Sequence, residues 1–396
     1  MKPMKITAAS VVSALGTGMV ETAAGLRANR SGCRPCDYED AQLTTHIGRV
    51  DGVEGHALAP GLAAFECRNN RLADMALCAD GFDVAVARAV ERYGARRIAT
   101  ILGTSTSGIR EGEYAFARRD PATGKLPADF RFSGTQAYHA LTRFVQARLG
   151  LDGPGITVST ACSSSAKVFA DAQQLIEAGV CDAAVVGGAD SLCLLTLYGF
   201  NSLQLLSETA CRPNDVNRSG ISIGEGAGFA LLERDGDGAA LAVLAGYGES
   251  ADAHHMSAPH PEGLGAERSM REALGRAGLA PGQVDYLNQH GTGTRQNDQS
   301  EDAAVARVFG SGMRCSSTKG ATGHTLGAAG IVEAAICIAA LREGIVPGNT
   351  NLVELDPAFH CRVEPETADA ELRYALSNSF GFGGSNCSLI FGAAPC

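Results

Sequence analysis

Tryptophan is absent from the sequence, and aromatic residues of all kinds make up only 6% of it. Cores built without large rings are packed from small aliphatic side chains, a composition suited to closely apposed buried helices. No stretch approaches the roughly 18 continuous apolar residues of a membrane span. No long basic run offsets the net charge of -10, which argues against nucleic acid as a main partner. An acidic partner would have to be met by a local basic patch. No Pro- or Ser-rich linker divides the chain, so any two domains must share a core.

The opening of the chain is not expected to be a secretory leader. The opening MKPMKITAASVVSALG places two lysines before an apolar stretch, but Thr7, Ser10, Ser13, Gly16 and Gly18 dilute it. It reads as a strand from Ile6 to Ser13, a glycine turn, and a helix from about Glu21. Thirteen cysteines, an odd count, then read as free thiols in a reducing compartment. A cytoplasmic location is expected. Cys33 and Cys36 form a C-x-x-C with no second pair at metal-ligand spacing, so they read as two loop thiols, and no metal site is expected.

What is present is an ordinary globular composition, 45% hydrophobic and 19% charged, in 396 residues. That length allows two domains or one large fold with an internal repeat. Short β-branched runs alternate with longer Ala-rich segments, the pattern of an α/β protein. Strands are expected at Ile98 to Leu102, Ile156 to Thr160, Ala183 to Gly187, Leu241 to Tyr247 and Val284 to Gln289. Helices are expected over 71–92, 163–178, 267–277 and 327–342. An internal echo joins TVSTACSSSAKVFADAQQLIEAGVCDAAVVGG to MRCSSTKGATGHTLGAAGIVEAAICIAALREG. Both segments run strand, small-residue turn, helix. Each helix is apolar nearly all round, which predicts two buried helices sandwiched between sheets.

Four segments could carry chemistry. In TVSTACSSSAKVF, Cys162 stands at a strand–helix seam. There the helix dipole and unpaired N–H groups would favour a thiolate and could hold an oxyanion. Taken alone, it could equally be a buried inert thiol. In YLNQHGTGT, His290 ends a strand before a turn in which Thr292 and Thr294 could hold a polar chain. SSTKGATGHTLGAAG brings Lys319 and His324 into the second apolar helix. SNSFGFGGSNCSLIFG sets one ring, Phe382, in a flexible turn of Gly381, Gly383 and Gly384, the composition of a gate or of a plugged hairpin.

Together these segments, with VVSALGTG, GGAD and GEGAG, resemble the elongating β-ketoacyl-acyl-carrier-protein synthases over nearly the whole chain. The resemblance implies a thiolase-like five-layer αβαβα fold with two pseudo-duplicated halves, residues 1–240 carrying the nucleophile and 241–396 the paired histidines. It implies Cys162 as the acyl acceptor and His290 and His324 as neutral imidazoles that assist loss of carbon dioxide from a malonyl thioester. The backbone N–H groups of Cys162 and Phe382 become the oxyanion hole. Lys319 is expected to pair with Glu301 and fix the His324 region, with Asp298 and Glu333 as further supporting acids. Thr292 and Thr294 are expected on the phosphopantetheine arm, with substrates carried on that arm and no other cofactor.

The implied partners are an acidic acyl carrier protein and a second copy or a chain-length-factor-like homologue. Arg68 with Arg71, at i and i+3, and Arg118 with Arg119 are candidate carrier-docking pairs. Ser219 and Ile221 depart from the Asp and Phe common in fatty-acid enzymes, and the segment resembles ketosynthases of aryl-polyene pathways. The alternative reading is a catalytically quiet, carrier-binding partner subunit, against which the joint presence of Cys162, His290, Lys319 and His324 argues.

Overall fold

A computed structural model describes residues 1–234 and 240–394. The expected boundary at residue 240 adjoins residues 235–239, which lie outside the described set, as do residues 395–396. Among the described residues the central sheet has twelve strands, ten of which form its two halves. These ten are β1 (Met4–Ser13), β2 (Ile98–Gly103), β3 (Gly155–Val158), β4 (Ala183–Asp190), β5 (Gly226–Glu233), β6 (Ala242–Ala251), β7 (Tyr286–Asn288), β8 (Arg314–Ser316), β9 (Tyr374–Gly381) and β10 (Ser385–Ala393). The helices that pack on them are α1 (Arg68–Cys78), α2 (Phe82–Tyr93), α3 (His139–Leu149), α4 (Ser164–Glu177), α5 (Leu264–Ala277), α6 (Arg295–Phe309) and α7 (Ala329–Glu343).

The strand order is β3-β2-β4-β5-β1 followed by β6-β10-β9-β7-β8, with a short edge strand Arg362–Val363 beyond β8. The second half repeats the first with every strand advanced by five places. In each half the first pairings from the outer edge are parallel and the next two antiparallel. The halves join where β1 pairs antiparallel with β6, Lys5 opposite Val243.

Five layers follow from the alternation of side chains along each strand. On β2, Ala99 and Ile101 face one core while Ile98 and Leu102 face another. On β10, Leu389 and Phe391 share the first core, and Ile390 faces a third. The shared core holds α4 and α7; α1, α2 and α3 cover one outer face, and α5 and α6 the other. The predicted layered α/β architecture is therefore the observed one.

Helix α7 is buried from Ala329 through Leu341, as its apolar composition predicts. Helix α4 is not apolar all round, because Gln174 and Glu177 near its end reach solvent. The two helices touch through backbone: a Cβ on Gly330 would fall 2.4 Å from the Ala166 nitrogen. The single helix expected over 71–92 is broken at Asp80 (φ 55) and Gly81 (φ 68). The break has a use, since the Asp80 carboxylate accepts the Met19 N–H at 3.0 Å and caps the helix Met19–Arg27.

Candidate active site

The chain leaves β3 and turns sharply at Ala161, whose φ of 54 is left-handed, before α4 begins at Ser164. The serines after Cys162 hold this turn. Ser164 Oγ accepts the Thr160 N–H (2.9 Å) and donates to the Ala161 carbonyl (2.6 Å). Ser163 Oγ donates to the Thr160 carbonyl at 2.9 Å. Ser165 Oγ accepts the Ile331 N–H at 2.9 Å and so ties α4 to α7. Across the turn lies Gly381, where a Cβ would meet the Thr160 oxygen at 2.6 Å. That close approach lets the Phe382 N–H reach the Cys162 sulfur.

Cys162 is 6% exposed. Burial pushes its thiol up to about 11, against the pull of the Lys319 charge and the Phe382 N–H. The thiolate expected at this seam is thus overturned: at rest the group is a thiol, because desolvation outweighs the pull of the Lys319 cation and the Phe382 N–H.

The sulfur and a ring nitrogen from each of His290 and His324 all lie within 4.8 Å of one another. Both imidazoles are held well below the usual histidine range by burial and by the Lys319 charge, with His324 adding to the effect on His290. Both are therefore neutral, and their partners fix which nitrogen carries the proton. Lys319 Nζ donates to His290 Nδ1 (3.3 Å), and the Leu326 N–H donates to His324 Nδ1 (3.1 Å). Each Nδ1 is an acceptor, so each ring presents Nε2–H.

Lys319 is 1% exposed and uses its three donors on His290 Nδ1, the His290 carbonyl (2.5 Å) and the Glu333 carboxylate. The expected pairing of Lys319 with Glu301 is corrected. Glu333 projects from α7 onto Lys319, whereas Glu301 on α6 accepts the backbone N–H groups of His290 and Gly291, each at 2.8 Å. Burial raises the Glu301 carboxyl to about 7 against these bonds and that of Asn378. Asp298, one turn earlier, accepts the N–H of Gly293 (3.2 Å) and of Asn214 (3.1 Å), which fixes the turn carrying Thr292 and Thr294. The two threonine hydroxyls are 2.9 Å apart.

These groups open on a cavity of about 500 Å³ lined by Cys162, His290, His324, Thr292, Thr294 and Phe382 among others. Ser219 and Ile221, the departures noted in the sequence, stand on the same wall. Phe382 packs against Phe200, ring centroids 5.7 Å apart, and Gly383 and Gly384 take φ values of 82 and 74 that suit glycine.

The docking candidates separate. Arg68 is 3% exposed and bonds both oxygens of buried Glu225, at 2.6 and 2.8 Å. It is unavailable to a partner, because α1 packs that face onto the sheet, and its docking assignment is withdrawn. Arg71 is partly exposed and bonded to Glu66. Arg118 and Arg119 are exposed, Arg118 paired with Asp129 at 2.9 Å.

Asp190 was not anticipated. At the end of β4 it accepts N–H groups from Ser105, Thr106 and Gly327, locking the first half to the turn before α7. A buried carboxylate closing an apolar strand was the available signal.

Residues 1–238 match the family described as Beta-ketoacyl synthase, N-terminal domain, and residues 241–353 match its C-terminal domain. The chain is 42% identical over 267 residues to the mitochondrial 3-oxoacyl-[acyl-carrier-protein] synthase of Arabidopsis thaliana, covering 62% of this chain and 58% of that protein. It is 41% identical over 308 residues to nodulation protein E of Rhizobium meliloti, covering 75% and 76%. Among solved structures, the ketosynthase ApeO in complex with its chain length factor ApeC from Xenorhabdus doucetiae superposes with a TM-score of 0.90. That match has 39% identity and covers 99% of this chain and 98% of the other.

Proposed function

The chain belongs to the β-ketoacyl synthase family, and from that premise we propose that it joins an acyl thioester to a malonyl thioester by decarboxylative Claisen condensation. The observation that carries this reading is the cluster itself. One buried thiol stands beside two neutral imidazoles that both present Nε2–H into a shared cavity.

In the first step Cys162 sulfur attacks the acyl carbonyl of an acyl-carrier. The N–H groups of Cys162 and Phe382 hold the developing oxyanion. The new S–C bond replaces the carrier's S–C bond, and the thiol proton leaves with the carrier thiol. No strong base is needed, since one thiol is exchanged for another. In the second step malonyl-carrier loses carbon dioxide, and the electron pair of the broken C–C bond becomes an enolate. Its oxygen sits on His290 and His324 Nε2–H; uncharged donors stabilise the enolate without preferentially holding the departing carboxylate. The enolate carbon then attacks the acyl group on Cys162. The expelled thiolate takes a proton from solvent, in keeping with a thiol raised to about 11. Electrons come from decarboxylation, so the step calls for no redox group.

Thr292 and Thr294 at the cavity wall hold the phosphopantetheine arm of the carrier. Ser219 and Ile221 shape the acyl end, which suits a specialised polyene-type chain as well as a fatty acyl chain. The partner is a second copy or a chain-length-factor homologue, as in the ApeO–ApeC complex. With its nucleophile in place, this chain is the active member of any such pair.

The test is incubation with malonyl-carrier and a panel of acyl-carriers, with mass spectrometry of the products. A β-ketoacyl-carrier two carbons longer than the acyl donor, lost in Cys162→Ala, is the expected result. Absence of elongated product from every acyl-carrier, in folded protein with its partner homologue supplied, would sink the reading.

A further inference from the structure

We propose that the second layer of the Cys162–His290–His324 cluster excludes thiophilic metal cations, and that Lys319 and the Leu326 N–H are the excluding groups. One thiol and two imidazoles with ligating atoms within 4.8 Å are donor types that zinc binds. Bonds of about 2.0–2.3 Å to zinc put tetrahedral ligands roughly 3.3–3.8 Å apart. The cluster would need to contract by at most about 1–1.5 Å to match. By distance and donor type this buried centre is exposed to poisoning.

The hydrogen bonds behind the rings oppose it. An imidazole binds a metal through a bare nitrogen, and its other nitrogen characteristically donates N–H to a carboxylate or carbonyl. Here the pattern is reversed at both rings. The Leu326 amide donates into His324 Nδ1 at 3.1 Å. Lys319 donates into His290 Nδ1. Freeing either Nε2 for a metal would move its proton to Nδ1, where one N–H would then face another. Lys319 has no slack to turn away, because its other two donors are bound to the His290 carbonyl and Glu333. Carboxylates are near, but Glu301 accepts backbone N–H groups and Glu333 faces Lys319, and neither accepts from a ring. The arrangement that supplies two Nε2–H donors thus also denies both lone pairs to zinc. Lys319 acts here through His290, as a positioning residue, whatever acyl group the enzyme uses.

Zinc ion alone serves as the probe, and protection of Cys162 from iodoacetamide, read by mass spectrometry, is the measure. Losing one outer partner changes metal affinity by about 10- to 100-fold. Lys319→Met, and Lys319→Met/Glu333→Leu in case the single variant misfolds, should be protected at about 10- to 100-fold lower zinc than wild type. Equal zinc dependence in wild type and a folded variant would overturn the proposal. A second measurement needs no variant: the ¹⁵N spectra of His290 and His324 in wild type should show the protonated nitrogen at ε2 in both rings. A protonated δ1 in either ring overturns the proposal.

Discussion

The rings of His290 and His324 stand edge to face, 5.3 Å between centroids and 86° between planes. Each has a donor behind it at Nδ1, which on the proposed mechanism leaves two Nε2–H groups for one oxygen. Removing one such donor costs about 10²–10³ in rate. His324→Ala should therefore slow malonyl-carrier decarboxylation by that factor while leaving acylation of Cys162 measurable. Because burial and Lys319 hold both rings neutral well below the usual range, wild-type decarboxylation should stay level as pH falls through about 6.5, the ordinary imidazole value. An inflection there would mean that a titrating histidine limits the step.

Cys162 gives the opposite pH signature. With its thiol raised to about 11, the reactive thiolate fraction grows about tenfold per pH unit up to that value. Iodoacetamide labelling of Cys162, resolved by peptide mass spectrometry, should climb with a logarithmic slope near one between about pH 7 and 9. A rate already on a plateau at neutral pH would restore the resting thiolate.

Much of this site was legible in the sequence, and the misses share a cause. Cys162 at a strand–helix seam, His290 before a glycine turn and Lys319 with His324 before an apolar helix are local patterns. Local patterns survive folding. Which carboxylate meets Lys319 is not local: Glu301 and Glu333 sit on different helices, and only the packing of α7 selects the second. The charge on Cys162 depended on depth of burial, to which a dipole argument is blind. Arg68 looked wet because Asn69, Asn70 and Arg71 follow it, yet all but Arg71 are buried. The break of the long helix was legible, since Asp80–Gly81 is a turn pair.

The Lys319–Glu333 pair is buried at both ends, 1% and 4% exposed by side chain. Removing one partner strands the other, at about 3–5 kcal/mol, whereas removing both can be nearly neutral. Lys319→Met alone should lower the urea midpoint sharply. Lys319→Met/Glu333→Leu should recover most of the loss without recovering condensation. Additive losses in the double variant would mean the two charges are not coupled.

Gly330 permits the contact between the two central helices. An alanine there would press its Cβ to 2.4 Å from the Ala166 nitrogen, and neither helix can withdraw, since both are wedged between the two halves of the sheet. Overpacking of this kind costs about 1–3 kcal/mol. Gly330→Ala should lower the melting temperature. Because Cys162 lies in the turn that opens α4 and Glu333 on α7, it should also depress condensation in protein that remains folded; an unchanged Tm would place slack at this crossing.

The arginines once grouped as docking residues should now behave as two classes. Arg68→Ala leaves Glu225 charged, buried and unpaired, so it should cost about 3–5 kcal/mol of stability. In protein that still folds, it should leave carrier affinity unchanged. Arg118→Glu with Arg119→Glu alters only exposed groups, and stability should move by no more than about 0.5 kcal/mol. If these two residues meet the acidic carrier, the same change should weaken carrier binding, measured by titration calorimetry. The deficit should shrink as salt screens the wild-type attraction. A net charge of -10 makes this sharper, because an acidic partner can approach such a chain only where local positive charge offsets the repulsion. Carrier affinity identical in wild type and the double variant at low salt would move the docking face away from these residues.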